Sequence, residues 1–151
     1  MDGKRFLERY IEVKRLVSLL ALRIMKPLGL GRTQVALLRE LGRTGPTTQS
    51  ALARATATDP SAATRAFAGL TARGWVRRRR GEVDRRESYV ELTPLGRRLL
   101  GKVEAAYGDI GATLAAHLDD RDLAALERIR KRLLPLAPVD GEPPPAPRRT
   151  R

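Results

Sequence analysis

DPSAATRAFAGLTARGWVRRRRGEVDRRESYVELTPLG, residues 59–96, is the stretch that decides the fold. Asp59-Pro60 combines an N-capping carboxylate with a proline already set at helical φ. Ala63, Phe67 and Leu70 then recur at spacings of four and three, a single apolar stripe. Ser61, Ala62, Thr64, Arg65 and Ala68 fall away from that stripe and form a small, polar, singly charged face. Gly74 closes the helix as a left-handed C′ residue. Trp75 and Val76 begin an extended run, Arg77 to Arg80 follow, and Gly81 to Arg86 read as a loop. Tyr89-Val90-Glu91-Leu92 returns as a second short strand. Helix, strand, basic loop, strand is the order of a DNA recognition helix followed by a wing.

The same residues carry a family pattern. Asp84-Arg85-Arg86, followed after the return strand by Leu92-Thr93-Pro94-Leu95-Gly96, resembles the signature of MarR-type winged helix-turn-helix regulators. Ala51-Leu52-Ala53 upstream and the Leu70-x-x-x-Gly74-Trp75-Val76-x-Arg78 run match it too. The resemblance covers roughly residues 5 to 135. It implies a mainly α fold with a small β wing, in which a winged helix-turn-helix is flanked by N- and C-terminal dimerisation helices. It further implies a homodimer, usually a repressor, that many relatives release from DNA by binding small aromatic or phenolic molecules.

Outward from the central stretch, the chain reads as helices. Phe6, Tyr10, Val13, Val17, Leu20 and Ile24 repeat at alternating four and three. Leu7, Ile11, Leu16 and Leu19 add a second apolar strip to this first helix. One small domain rarely covers a helix on more than one side, so the pattern calls for a partner subunit. Pro27, Gly29 and Gly31 break it. A second helix is expected from Thr33, capped by that hydroxyl, with Val35, Leu38 and Leu41 facing inward. Gly42 to Pro46 is a turn-rich break, and Thr47 or Thr48 caps a short third helix carrying Ala51, Leu52 and Ala55. Thr56 to Thr58 connects tightly into the Asp59 helix, completing the helix-turn-helix.

After the wing, Thr93-Pro94 repeats the cap-plus-proline start. Leu95, Leu99, Val103, Ala106, Ile110 and Leu114 give a long helix whose apolar face Leu100 and Tyr107 widen. A last helix starts at Asp119, capped with Asp122, along Leu123, Leu126, Ile129 and Leu133. Arg130, Lys131 and Arg132 suit its negative dipole end. The expected division is residues 1–30 and 94–136 as a helical dimerisation region and 31–93 as the DNA-binding lobe. Residues 137–151, proline-rich and basic, are expected to be a disordered tail.

Composition agrees with a nucleic-acid partner. The 151 residues carry a formal net charge of +13, which points to a polyanion. A GC-rich genome would also favour 25 Arg over 5 Lys, but the concentration of arginine around the wing argues for binding. The sequence has no cysteine, so disulfides, thiolate metal sites and a thiol switch are excluded. Charges at Asp2, Lys4, Arg5, Glu8 and Arg9 break any leader-like apolar run, and no stretch reaches the eighteen or so apolar residues of a membrane span. A cytoplasmic protein without membrane attachment is expected.

A B-form major groove, about 12 Å wide, admits one α-helix. Ser61, Ala62, Thr64 and Arg65 are the candidates to enter it. Arg65 matches guanine O6 and N7 with two hydrogen bonds; its alternatives are a phosphate or a neighbouring carboxylate. Ser61 and Thr64 suit bases or phosphates, and Ala62 a thymine methyl. The resemblance implies a minor-groove role for Arg85 at the wing tip, where narrow grooves concentrate negative potential. Asp84 then positions the wing arginines, Arg79 and Arg80 take phosphates, and Arg86 takes DNA or an internal ion pair. A dimer sets the two reading helices roughly 34 Å apart, so the expected partner is double-stranded DNA carrying an inverted repeat.

Nothing in the sequence points to an enzyme. His117, the single histidine, reads as a packing or capping residue, and no carboxylate pair, phosphate loop, nucleophile elbow or metal-spaced cluster is present. No cofactor is expected. Two functions remain: a sequence-specific regulator relieved by a small ligand, and a weakly specific nucleoid-associated or architectural DNA binder without one.

Overall fold

The computed structural model describes residues 2–80 and 88–136. Its elements follow the order α1 (Gly3–Met25), α2 (Arg32–Thr44), β1 (Thr47–Thr48), α3 (Gln49–Ala55), α4 (Pro60–Ala72), β2 (Val76–Arg80), β3 (Ser88–Leu92), α5 (Pro94–Ala115) and α6 (Asp120–Leu133). The mainly α fold with a small antiparallel β wing is the one the sequence predicts. The chain divides into two compact units, the division falling inside α5 between Gly111 and Ala112.

In the first unit, α2, α3 and α4 bury Leu37, Leu38, Leu41, Leu52, Phe67 and Leu70 almost completely. Val76 and Val90 close this core from the sheet. Each helix start has a chemical reason. Asp59 accepts from the backbone N–H groups of Ser61 and Ala62, both at 3.0 Å, and Thr48 Oγ1 accepts from Ala51 at 3.2 Å. The start of α2 differs from expectation. Its N-cap is Gly31, and Thr33 lies inside the first turn. Gln34 Oε1 accepts from Gly31 N–H at 3.0 Å, half of a capping box, so no hydroxyl is needed there.

The sheet has three strands in the order β1–β3–β2. The two-residue β1, which local pattern does not announce, pairs Thr47 with Val90 and Thr48 with Tyr89. In α3 Leu52 and Ala53 face inward, and Ala55 is exposed.

The Leu92-to-Gly96 signature has a mechanical meaning. Thr93 Oγ1 lies 2.6 Å from the Gly74 carbonyl oxygen and accepts from Gly96 N–H at 3.0 Å. One hydroxyl therefore caps α5 and ties it to the end of α4. A Cβ on Gly96 would collide with the Trp75 carbonyl oxygen, so only glycine lets the helix seat here. Gly96 is accordingly the buried residue, and Leu95, expected inward, is 43% exposed. Leu99, Val103, Ala106 and Ile110 carry the inward face onward.

Two helices, one in each unit, keep most of their apolar residues exposed among the described residues. Of the 23 residues of α1 only Met25 is buried, although Leu7, Ile11, Val13, Leu16 and Leu19 are each more than half exposed. In the second unit, α6 is capped by Asp119 with Asp122, as the sequence predicts, and it leaves Leu123 and Leu126 exposed.

Candidate nucleic-acid interface

Helix α4 is anchored by Ala63, Ala66, Phe67 and Leu70. Helical spacing then fixes what it offers outward: Ser61, Arg65, Ala68 and Ala72, at i, i+4, i+7 and i+11, form one exposed ridge. Thr64 flanks the ridge, exposed, and its hydroxyl donates to the Pro60 carbonyl at 2.9 Å. That bond uses the hydroxyl's proton and leaves its oxygen free to accept. Ala62 is half-buried. Arg65 is exposed and forms no ion pair with any described residue.

The turn before α4 is built for rigidity. Thr58 N–H donates to the Ala53 carbonyl at 2.8 Å and Ala57 N–H to that of Arg54 at 3.0 Å, a Schellman pattern. Ala57 takes the left-handed position at φ +48°. Thr56 and Thr58 join their hydroxyls at 2.8 Å across it. Between α3 and α4 lies a cleft of about 550 Å³ whose lining includes Ser50, Thr58 and Thr64. Ser50 is a hydroxyl beside the ridge that the periodicity argument did not single out.

Strand register sorts the arginines of the wing. Arg77 stands opposite Glu91 and Arg79 opposite Tyr89, on one face; Arg78 opposite Val90 and Arg80 opposite Ser88 share the other. Arg77 Nε lies 2.7 Å from Glu91 and Arg79 Nε 3.8 Å. Glu91 thus tethers the first face, whereas Arg78 and Arg80 are exposed and unpaired among the described residues. Of the two phosphate candidates, Arg80 is the one with no carboxylate partner among the described residues. Asp84, Arg85 and Arg86 lie outside the described residues.

Behind the reading elements, within the first unit, an apolar cavity of about 270 Å³ is walled by α1, α2 and α5 through Val17, Leu22, Met25, Val35 and Ile110, with Arg32 at its edge. An ion pair stands next to it. Arg39 Nε and Nη2 meet the two Glu104 carboxylate oxygens at 2.7 and 3.3 Å, and its guanidinium lies over the Tyr107 ring, 3.6 Å from the centroid. The Glu104 hydrogen bond, assisted by Tyr107, holds the Arg39 guanidinium above its usual range against the effect of partial burial. His117, in the turn just past the end of α5, places Nδ1 2.9 Å from the Thr113 carbonyl oxygen in the last turn of that helix, as a capping residue does. Among the described residues no group of three or more His, Cys, Asp or Glu could hold a metal, and no helix is long and apolar enough to cross a membrane.

A helix anchored by one face and bare on the other, a three-stranded wing and an arginine-rich edge define a winged helix-turn-helix DNA-binding protein. Comparison with known proteins agrees. The MarR family model matches residues 28–87. A probable transcriptional regulator from Pseudomonas aeruginosa is 31% identical, the match covering 87% of this chain and 97% of that one at a TM-score of 0.74. BpsR of Bordetella bronchiseptica, whose DNA binding is regulated by 6-hydroxynicotinic acid, is 22% identical over 88% and 93% of the two chains, with a TM-score of 0.73. A mutant MarR of E. coli complexed with operator DNA is 24% identical over 89% and 100%, with a TM-score of 0.74. No curated protein matches the chain. The chain belongs to the MarR family of DNA-binding transcriptional regulators.

Proposed function

We propose that the chain acts as a homodimeric, sequence-specific repressor in the cytoplasm, bound to an inverted-repeat operator and released by a small aromatic or phenolic effector. The observation that carries this reading is the α4 ridge, where Arg65 stands exposed between Ser61 and Ala68 with no ion pair among the described residues. A guanidinium so placed has two donors for guanine O6 and N7. Arg80 supports the ridge from β2 as a phosphate contact, and Arg85 takes the minor groove, with Asp84 positioning the wing arginines and Arg86 taking DNA or an internal ion pair. Residues 31–93 do the reading; residues 1–30 and 94–136 supply the dimer, which would cover the exposed apolar side chains of α1 and, separately, those of α6.

The apolar cavity supports the effector. An apolar cavity of about 150 Å³ already takes a benzene ring, so about 270 Å³ suits a ring with a substituent, and Arg32 favours an acidic one. BpsR answers to a hydroxylated aromatic acid. To relieve repression the ligand must bind the DNA-incompetent arrangement better than the competent one.

A second reading has an observation of its own. Ala68 and Ala72 fill half of the ridge, and methyl groups plus a charge of +13 suit weakly specific, architectural binding. Affinity for the chain's own upstream DNA and for a scrambled duplex, measured across a salt series, separates the two. A preference of roughly a thousandfold or more is expected of the regulator. Equal binding that weakens in parallel with salt would establish the architectural reading instead. On the preferred duplex, Arg65→Ala is expected to flatten base preference at one position per half-site, about 1–3 kcal/mol of discrimination. Titration of base-substituted sites with an unchanged profile would remove Arg65 from base reading.

A further inference from the structure

The apolar cavity is one of two that stand back to back in the first unit. The second, of about 570 Å³, brings charged groups into a mostly apolar wall, with Arg39, Glu104, Gly42 and Leu100 in its lining. Ala36 of α2 and Tyr107 of α5 line both. The partition between an apolar compartment and an ion pair is therefore one methyl group and one aromatic ring.

That ring is half of a clamp. Glu104 and Tyr107 are three residues apart on α5, so they share a face. Arg39, reaching across from α2, grips both: the carboxylate with two hydrogen bonds and the ring with its guanidinium plane. Helix α2 in turn packs against α4, where Gln34 of α2 meets Gly69 of the reading helix. A body in the apolar cavity must press on Tyr107. The ring cannot move far without leaving its place beneath the Arg39 guanidinium, whose central carbon lies 3.6 Å from the ring centroid.

We propose that Tyr107 and Arg39 form the relay that carries occupancy of the apolar cavity to α2, and through α2 to the reading helix. The relay rests on the effector reading of that cavity. With the cavity empty, the stack and the Glu104 pair hold α2 against α5 in the DNA-competent arrangement. A ligand displaces the ring, Arg39 loses one of its two grips, and α2 is released. Both contacts are partly exposed, Arg39 and Glu104 retaining 39% and 48% of their side-chain surface, so their combined worth limits the coupling to about tenfold to thirtyfold. Arg39 is a positioning residue here: it touches neither the apolar cavity nor the α4 ridge.

The test uses sodium benzoate as probe, the full chain, and the tightest duplex recovered by selection from a random library. For the wild type, benzoate is expected to weaken DNA binding by about tenfold. In Arg39→Gln that factor is expected to fall below about twofold, while calorimetric binding of benzoate to the DNA-free protein stays within about threefold. Tyr107→Phe keeps the ring face and is expected to preserve the coupling; Tyr107→Leu removes it. Glu104→Gln, which leaves the stack in place, is expected to lie between and serves if Arg39→Gln does not fold. Full coupling retained in Arg39→Gln or in Tyr107→Leu would overturn the relay while leaving the effector reading intact. Benzoate that binds the wild type without changing its DNA affinity would overturn it as well. Benzoate that neither binds the wild type nor affects its DNA affinity would remove the effector reading, and the relay with it.

Discussion

Helices α1 and α4 treat their apolar residues in opposite ways. In α4, four residues (Ala63, Ala66, Phe67 and Leu70) are buried among neighbours from the same chain. In α1, which is 23 residues long, one residue is buried, and the two apolar strips that call for a partner surface in the sequence stay largely exposed. Both helices are amphipathic, but α1 carries two apolar strips in the sequence and α4 one. The difference is where the matching surface resides. For α4 it is α2, α3 and the sheet; for most of α1 no described residue supplies it. Burial of α4 leaves a polar ridge for a ligand, whereas exposure of α1 leaves an apolar surface of the kind that marks association.

The sharpest way to break this comparison is to remove the anchor of α4. Phe67 is 1% exposed, and Phe67→Ala deletes a full aromatic ring from a packed core at a cost of about 3–5 kcal/mol. Chemical denaturation followed by circular dichroism should show a midpoint shift of that size with loss of DNA binding. A shift below about 1 kcal/mol would mean that the lobe does not depend on its own core.

For α1 the corresponding perturbation is a charge. Val13 and Leu16 lie on its two strips and are 58% and 55% exposed. The double substitution Val13→Glu and Leu16→Glu should leave the lobe folded, since neither residue belongs to the buried core. Burying two carboxylates at a subunit contact should raise the dimer dissociation constant at least about a hundredfold, about 3 kcal/mol. Sedimentation at micromolar concentration reads this directly. A variant that remains dimeric would move the subunit contact off α1 and break the contrast with α4.

Local signals were legible in the sequence because their physics is local. Asp59, Thr48 and Asp119 cap the helices they precede, and Gly74 takes the left-handed turn at φ +69°. The outward placement of Ser61 and Arg65 follows from the same short-range periodicity. Features set by distant contacts were not legible. β1 is two residues long and exists because β3, some forty positions later, offers it a ladder. Leu95 and Gly96 exchange roles because the Trp75 carbonyl approaches where no side chain fits, a constraint that hydrophobic spacing does not register. The clamp joins Arg39 to a carboxylate 65 positions away. The apolar cavity collects side chains from Val17 to Ile110, with no motif to announce it.

The gentlest test compares the two turns that flank α4. Both follow the Schellman pattern: Ala57 ends α3 and Gly74 ends α4, with Thr58 bonded to Ala53 at 2.8 Å and Trp75 to Leu70 at 3.0 Å. Both C′ residues are left-handed, at φ +48° and +69°, yet one carries a Cβ. A left-handed alanine pays a steric penalty that glycine avoids, offset in part by the greater chain entropy glycine loses on folding. Ala57→Gly is therefore expected to stabilise by about 0.5–1 kcal/mol. Gly74→Ala should destabilise by a similar amount, because a Cβ there meets nothing within 4 Å and the cost is backbone alone. Melting temperatures should move by about 2–4 °C, up for the first and down for the second. Opposite signs would show that one backbone term governs both turns. Destabilisation by Ala57→Gly would mean instead that the alanine stiffens the helix-turn-helix, and base preference measured on the same variant would show whether that stiffness sets the aim of Arg65.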